Sequence, residues 1–574
     1  MLEFFRLLDK IIVSLGLLVT FGLIAKLGLH LNSTINLAID VMVFSVASVF
    51  IFQEFYRLLS YHAKWQYLKD RWLDFSIVSF MTILVLWNFI FNVTENSYNF
   101  TLIGLGSLLL IGLFSAMVDR VESKVTTSRV ILRPSQVFIL SFLVPIIIGG
   151  TLLKMPKATI EGISWIDAFF VATSAISVTG LSPVDISLFT PFGQVIVLLL
   201  IQIGGLGIMT LSLAFASFIA GGLGVKDRIM ISQMLSDGRV SEIKSLLYKI
   251  CVFTFTIEAV GAAILYFSRA GLGQPFDLNL LWSSIFHSIS AFCNAGFSIY
   301  STGLSDNSLH SNYIFFIGIM LMITLGGIGF PTLTNIYSYL KSFFVRKYQL
   351  RVITTTSKVI FLMSFILISA GTLLLWLSEV TTHHMPQSTF DKLFQSLFWS
   401  ITSRSAGFNS LPVETLSLEG VFIVIFLMWV GGAPMSTAGG IKVTTLFVSF
   451  ANLKTQIFGL DRIETYGREI KNASILKAYA IITMSLAAIF IATIGLVYLE
   501  PKLNPIDLLF EVVSGFSNVG LSRGITPQLS DSSKSIIMFM MFVGRIGLIT
   551  IFAAIVKPPQ SLHYRYLKDD IMIQ

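Results

Sequence analysis

Asp167-Ala168-Phe169-Phe170-Val171-Ala172-Thr173-Ser174-Ala175-Ile176-Ser177-Val178-Thr179-Gly180-Leu181 decides how this chain folds. Its apolar core before the glycine is about ten residues long. As a helix that covers about 15 Å, half of a hydrocarbon core about 30 Å thick. Such a segment must enter the membrane and return. The same layout recurs three times, at Asn294-Ala295-Gly296-Phe297, Ser405-Ala406-Gly407-Phe408 and Asn518-Val519-Gly520-Leu521. The central glycines lie 116, 111 and 113 residues apart, a fixed period that marks an internally repeated chain.

Composition places the repeats in a lipid environment. Of 574 residues, 55% are apolar and 12% charged, and mean hydropathy is +0.82. A soluble protein carries about twice that charge. Long apolar runs flank each short one: 137–153 and 192–219, 250–266 and 313–340, 359–377 and 421–450, 478–499 and 536–556. Four more runs, about 11–30, 35–56, 73–91 and 100–118, precede the repeats. The first reads as a retained span, because no small-residue cleavage pattern closes it. The fourth carries no arginine, which argues against a voltage sensor.

The expected fold is therefore an all-α polytopic membrane protein. Four parallel membrane–pore–membrane units surround one path, preceded by four additional helices. The divisions are 1–132 for an accessory bundle, 133–225, 226–345, 346–454 and 455–557 for the units, and 558–574 for a tail. The excess of 39 Lys+Arg over 31 Asp+Glu falls in the links between spans, which sets topology rather than nucleic-acid binding. Basic links at 222–249, 341–358 and 454–477 belong in the cytoplasm, with both termini. All four loops then open from the outer side of the cytoplasmic membrane.

Re-entrant chain is tolerated only where it is buried in protein or lines water. Glycine admits unusual backbone angles, and a ring of carbonyls can replace the hydration shell of a bare cation. The loop residues Val178, Thr179, Gly180, Asn294, Ala295, Gly296, Ser405, Ala406, Gly407, Asn518, Val519 and Gly520 are all uncharged. An anion filter calls for Arg or Lys, and a calcium-type filter for carboxylates. Potassium fits best, with sodium the nearest competitor. Arg404 flanks the third loop without a counterpart in the others, so it forms no ring.

Unit three departs from the rest below its loop. Gly431, Gly432, Pro434, Gly439, Gly440 and Lys442 crowd into twelve residues, which breaks a helix and suggests an obstruction, or gate, beneath the filter. Arg545 lies well inside the last unit and should face the cavity or a partner. Glu258 also lies within a span and receives no coupling role. Asp40 and Asp74, near the ends of runs, suit the interface. Cys251 and Cys293 suit plain packing, Cys293 within reach of a thiol reagent from the pore. No catalytic constellation is present, and an enzyme is not expected. Parallel rather than inverted repeats also disfavour alternating access.

At these residues the chain resembles the Trk/Ktr/HKT superfamily of potassium transporters, and most closely the KtrB-type pore-forming subunits. The resemblance covers about 133–557. It implies that Gly180, Gly296, Gly407 and Gly520 are the filter glycines, that four glycines go with potassium selectivity while serine at the first favours sodium, that 431–442 with Lys442 is the intramembrane gating loop, and that Arg545 is the cavity arginine. It further implies a homodimer in membrane lipid with a pore in each protomer. A separate cytoplasmic nucleotide-binding subunit of KtrA/TrkA type is also implied, with no nucleotide on this chain. Sodium stimulates some members, so a sodium- or proton-coupled symporter, or a less selective sodium/potassium transporter, stands as the alternative. The region 1–132 exceeds a minimal KtrB-like subunit.

Overall fold

The computed structural model describes residues 15–16, 18–60, 79, 82, 134–219, 243–270, 276–306, 309, 312–344, 353–379 and 388–556. The expected spans at 73–91 and 100–118, Asp74, and the tail after 556 lie outside these residues. The described fold is helical, apart from a two-stranded hairpin, β1 (Glu464–Thr465) with β2 (Arg468–Glu469). Two helices open it, α1 (Leu18–Gly28) and α2 (Ser33–Ser60). Asp40 on α2 is buried and paired with Lys26. Pairing compensates the carboxylate away from water.

Four sets of helices follow in chain order. The first is α3 (Pro134–Leu153), α4 (Trp165–Ser177) and α5 (Pro191–Ile219). The second is α6 (Ile243–Arg269), α7 (Leu278–Phe292), α8 (Tyr313–Ile328) and α9 (Phe330–Phe344). The third is α10 (Thr355–Glu379), α11 (Thr389–Thr402), α12 (Leu418–Trp429) and α13 (Val443–Ile457). The last is α14 (Asn472–Leu499), α15 (Pro505–Ser517), α16 (Asp531–Ile546) and α17 (Leu548–Ile555). Among the described residues, α2, α6, α10 and α14 contain stretches long and apolar enough to cross a membrane, and the bent pairs α8/α9 and α16/α17 each pass the same test as one span. The chain is a multi-pass membrane protein.

Local chemistry starts these helices. Ser164 caps α4 at Asp167 N, 3.1 Å away, and Asn504 caps α15 at Ile506 N, 3.0 Å away, with Pro505 at the first helical position. Asn312 and Ser417 do the same for α8 and α12. Each cap contributes about 1 kcal/mol.

Each short helix packs between the helices of its own set: α4 against α3 and α5, α7 against α6 and α8, α11 against α10 and α12, α15 against α14 and α16. Each outgoing helix also touches the next short helix: α5 on α7, α8 on α11, α12 on α15, and α16 back on α4. That last contact closes a circle. The expected repeated packing positions are real, since Phe170, Phe286 and Phe510 are all fully buried.

One expectation needs correction. The sequence pattern marks a break only in the third outgoing span, yet all four are broken. Gly207 (φ 74°) interrupts α5, Gly329 (φ 90°) separates α8 from α9 at a bend of 100°, and Gly547 (φ 88°) separates α16 from α17 at 92°. The third set breaks after Trp429. Left-handed backbone is cheap only for glycine, and no length-and-hydropathy pattern registers it. The signal was present as Gly204-Gly205-Leu206-Gly207, Gly326-Gly327-Ile328-Gly329 and Gly544-Arg545-Ile546-Gly547, where Gly431-Gly432-Ala433-Pro434 puts proline in the last place.

Candidate cation-selecting ring and the loop beneath it

The four glycine loops lie at the C-terminal ends of α4, α7, α11 and α15 and meet edge to edge. A Cβ built on Gly180 would strike Ala295 O; on Gly296, Ala406 O; on Gly407, Val519 O; and on Gly520, Thr179 O. The same Cβ positions fall 3.0–3.2 Å from the neighbouring ring glycine's Cα. Each glycine thus abuts the next loop's backbone, and the sequence of contacts returns to its start. All four also have positive φ, at 100°, 69°, 76° and 96°. Conformation and space both demand glycine.

Sequence reasoning missed a second left-handed position two residues earlier. Val178, Asn294, Ser405 and Asn518 have φ of 57°, 59°, 72° and 51°. Asparagine tolerates this region, whereas for β-branched Val178 it is strained. The asparagines also brace the ring. Asn518 Nδ2 donates to Thr179 Oγ1 and to Met541 O, both at 2.9 Å. The Asn294 amide, oriented with its nitrogen toward carbonyls, reaches Ile323 O at 3.2 Å and Ala291 O at 2.9 Å. Ser405 Oγ donates to Asn518 O at 2.8 Å.

Hydroxyls behind the loops were also missed. Ser174 and Ser514 accept from the ring-glycine N–H groups of Gly180 and Gly520, at 3.0 and 3.1 Å. Ser290 and Thr402 donate to Phe297 O and Phe408 O, at 2.8 and 2.7 Å. These side chains are buried, so their bonds fix the loop backbones without competition from water. The helices behind aim their carbonyl ends at the ring, which favours positive charge there.

Glycine also brings the outgoing helices close. A Cβ at Gly204, Gly326 or Gly544 would collide with Ile176 O, Phe292 O or Phe516 O, each four residues before a ring glycine. At Gly431, in the third set, the nearest atom is instead Gly439 O from the adjoining loop. That loop, 431–442, folds back on itself: Gly431 N donates to Ile441 O at 3.0 Å and Ile441 N to Trp429 O at 3.1 Å. Its tip touches several sets of helices. Ala433 N and Thr437 N donate to Gly327 O and Gly326 O, at 2.9 and 3.3 Å. Thr437 Oγ1 donates to Phe292 O at 3.1 Å, and Gly439 N to Ser405 Oγ at 2.6 Å. Lys442 Nζ clips the loop's own carbonyls at Ala438 and Gly439, 2.7 and 3.3 Å away.

Arg545 is buried and bridges two backbones, donating to Thr437 O and, at 2.7 Å, to Gly204 O. The arginine therefore ties the third set's loop to the first set's outgoing helix. Glu258 is buried beside Gln202, whose Nε2 donates to both carboxylate oxygens at 3.1 Å. Cys293 is fully buried with its thiol directed at Glu258, 3.7 Å away. It is not the reagent-accessible group expected, because its side chain turns behind the loop. Near the N-terminal ends of α4 and α15, Asp167 pairs with Lys534 at 2.7 Å and Asp507 with Arg523, the first joining α4 to α16.

Comparison with known sequences decides the family. The profile described as "TrkH: Cation transport protein" matches residues 126–565. The chain belongs to this TrkH family of cation transport proteins. Among its relatives, the "Potassium/sodium uptake protein NtpJ" of Enterococcus hirae is 32% identical, over 77% of this chain and 97% of that protein. The "Ktr system potassium uptake protein B" of Bacillus subtilis is 34% identical, over 75% and 94%. The TrkH-family fold is also that of the crystal structure of the potassium transporter TrkH from Vibrio parahaemolyticus, which aligns with a TM-score of 0.60 at 16% identity, over 83% of this chain and 95% of that one. The family match begins at residue 126, so the first 125 residues lie outside it.

Proposed function

We propose that this TrkH-family protein takes up potassium across the cytoplasmic membrane through a channel-like pore. The observation that carries this reading is the closed circle of Gly180, Gly296, Gly407 and Gly520, each pressed on the next loop's backbone. Residues 178–180, 294–296, 405–407 and 518–520 form the filter, and neutral carbonyls there replace the water around a bare monovalent cation. Units 133–225, 226–345, 346–454 and 455–557 each supply one quarter. The region 1–132 is an accessory bundle, and 558–574 is a cytoplasmic tail, with the N-terminus on the same side.

Beneath the filter, 431–442 is the gate. Its contacts with Gly326, Gly327, Phe292, Ser405 and Arg545, which hold it from several sides, support this reading. Lys442 and Arg545 hold the closed loop by donating to backbone carbonyls, and both keep positive charge below the filter, where it limits cation trapping. The pore subunit works as a homodimer with a separate cytoplasmic nucleotide-binding subunit of KtrA/TrkA type. Support for the partner comes from relatives named as component B of a Ktr system.

Flux into liposomes holding the purified protein tests selectivity. Potassium and rubidium should enter far faster than sodium and lithium. Equal sodium and potassium flux overturns the reading and favours a sodium/potassium pathway, the alternative suggested by the printed name of the Enterococcus hirae relative. Potassium accumulation driven by an imposed sodium or proton gradient would mark a coupled symporter instead.

A further inference from the structure

Arg404 is one side chain that the proposed pathway leaves unused. It stands three residues before Gly407, where the other loops carry Ser177, Cys293 and Ser517. No carboxylate meets it among its described contacts. Its guanidinium instead reaches Ser364 O at 3.4 Å, Ser364 Oγ at 3.5 Å and Gly431 O at 3.5 Å. Its Nε is buried with no partner. Beside it lies a cavity of about 30 Å³, bounded by Thr324, Gly327, Ser364 and Gly432, with room for about one water molecule.

Three departures coincide in this set. Arginine replaces a small residue behind the filter, Pro434 replaces the break glycine, and the loop 431–442 separates the outgoing helix from the filter's backbone. In the other sets glycine seats the helix directly on a carbonyl behind the ring. In the third, the long arginine bridges the corresponding gap. Its carbonyl contacts exceed the usual 2.7–3.2 Å of an N–H···O bond, so each is weak and a small movement of Gly431 can release it.

We infer that Arg404 is a positioning residue that couples filter loop three to the upper hinge of the gate at Gly431, biasing the loop toward its obstructing pose. The inference rests on the gate reading above. Arg404 selects no ion; its charge is shared among carbonyl and hydroxyl dipoles behind the filter rather than presented to the path.

The test uses the full chain in liposomes without a regulatory subunit, and reads unidirectional rubidium influx together with the potassium-to-sodium flux ratio. Four proteins are compared: wild type, Arg404→Gln, a deletion of 434–440, and both changes combined. Arg404→Gln should raise influx about fivefold with the ion ratio unchanged, and should add nothing in the deletion background, because coupled groups are not additive. Arg404→Lys should restore part of the wild-type restraint. If the deletion raises influx but Arg404→Gln multiplies it by the same factor in both backgrounds, or shifts the ion ratio, Arg404 acts on the filter and the coupling is wrong. If the deletion leaves influx unchanged, the gate reading fails and the coupling falls with it. Should Arg404→Gln not fold, Ser364→Ala, which removes one contact of the guanidinium, must show the smaller rise and the same non-additivity; no rise overturns the coupling.

Discussion

The third and fourth sets of helices agree at the level of the ring and part company beneath it. Gly407 and Gly520 occupy the same kind of site, with positive φ and the next loop's carbonyl where a side chain would stand. Below them, Gly544-Arg545-Ile546-Gly547 bends once and continues as α17, with Gly544 seated on Phe516 O. Gly431-Gly432-Ala433-Pro434 opens into a loop that returns only at Val443. The two regions also meet, since Arg545 of one holds Thr437 O of the other. Shared backbone geometry suits a task divided equally among four loops. Asymmetry below suits a task, such as obstruction, that one segment can perform alone.

The largest expected effect challenges the equality of the ring. Alanine at Gly180, Gly296, Gly407 or Gly520 meets both a left-handed φ and a backbone oxygen. Each should cost at least about 3 kcal/mol in the intact ring and reduce potassium influx about 100-fold or more. Influx from the four variants in liposomes checks this; normal flux from Gly407→Ala alone would show that the loops are not equivalent.

Next comes the asymmetry. Arg545→Ala removes charge-assisted bonds to Thr437 O and Gly204 O, which are worth about 1.5–3 kcal/mol. Unstimulated influx should rise about tenfold. An unchanged or lower rate, with the protein still folded, would show that the tie does not restrain the loop.

A smaller effect sharpens the comparison between loops. Val178 alone among the four left-handed positions carries a β-branched side chain. Asparagine there relieves about 1 kcal/mol of strain, and Ile201 stands as far after Gly180 as Met541, whose carbonyl Asn518 bonds, stands after Gly520. Val178→Asn should raise the melting temperature in detergent by a few degrees. A lower melting temperature would mean that lost apolar packing outweighs the relief.

The smallest concerns the link after α14. Glu500 accepts from Ser530 N and Ser533 Oγ, both at 2.8 Å, and these bonds, led by the Ser530 contacts, hold its carboxyl below the usual carboxylate range. A lowered value means the bonds stabilise above the ordinary range and are lost as pH falls through the lowered one. Glu500→Gln should therefore lower the melting temperature slightly at neutral pH. The difference should vanish under strongly acid conditions, and a pH-independent difference would exclude the carboxylate's role.

Much of the architecture was readable because lipid imposes simple arithmetic. Segments such as 167–177 are too short to span, so they had to be re-entrant, and the glycines after them had to meet protein or water. The breaks at Gly207, Gly329 and Gly547 were hidden for the opposite reason. Hydropathy averages over a window, while a bend needs one residue with the right φ. Ser174, Ser290, Thr402 and Ser514 looked like ordinary small residues until their loops curled back onto them. Cys293 was misplaced because sequence position does not reveal which way a side chain turns.

The sequence by itself determined the class, the four loops, their uncharged chemistry and the odd character of the third outgoing span. Each of these follows from local length, charge or glycine content. Only the tertiary structure decided that the loops close into one circle, that Asn294 and Asn518 brace it, and that Arg404 reaches the start of the 431–442 loop while Arg545 reaches its middle, at Thr437. Those facts join residues more than a hundred positions apart, or depend on how one backbone lies against another, and no local pattern encodes that distance.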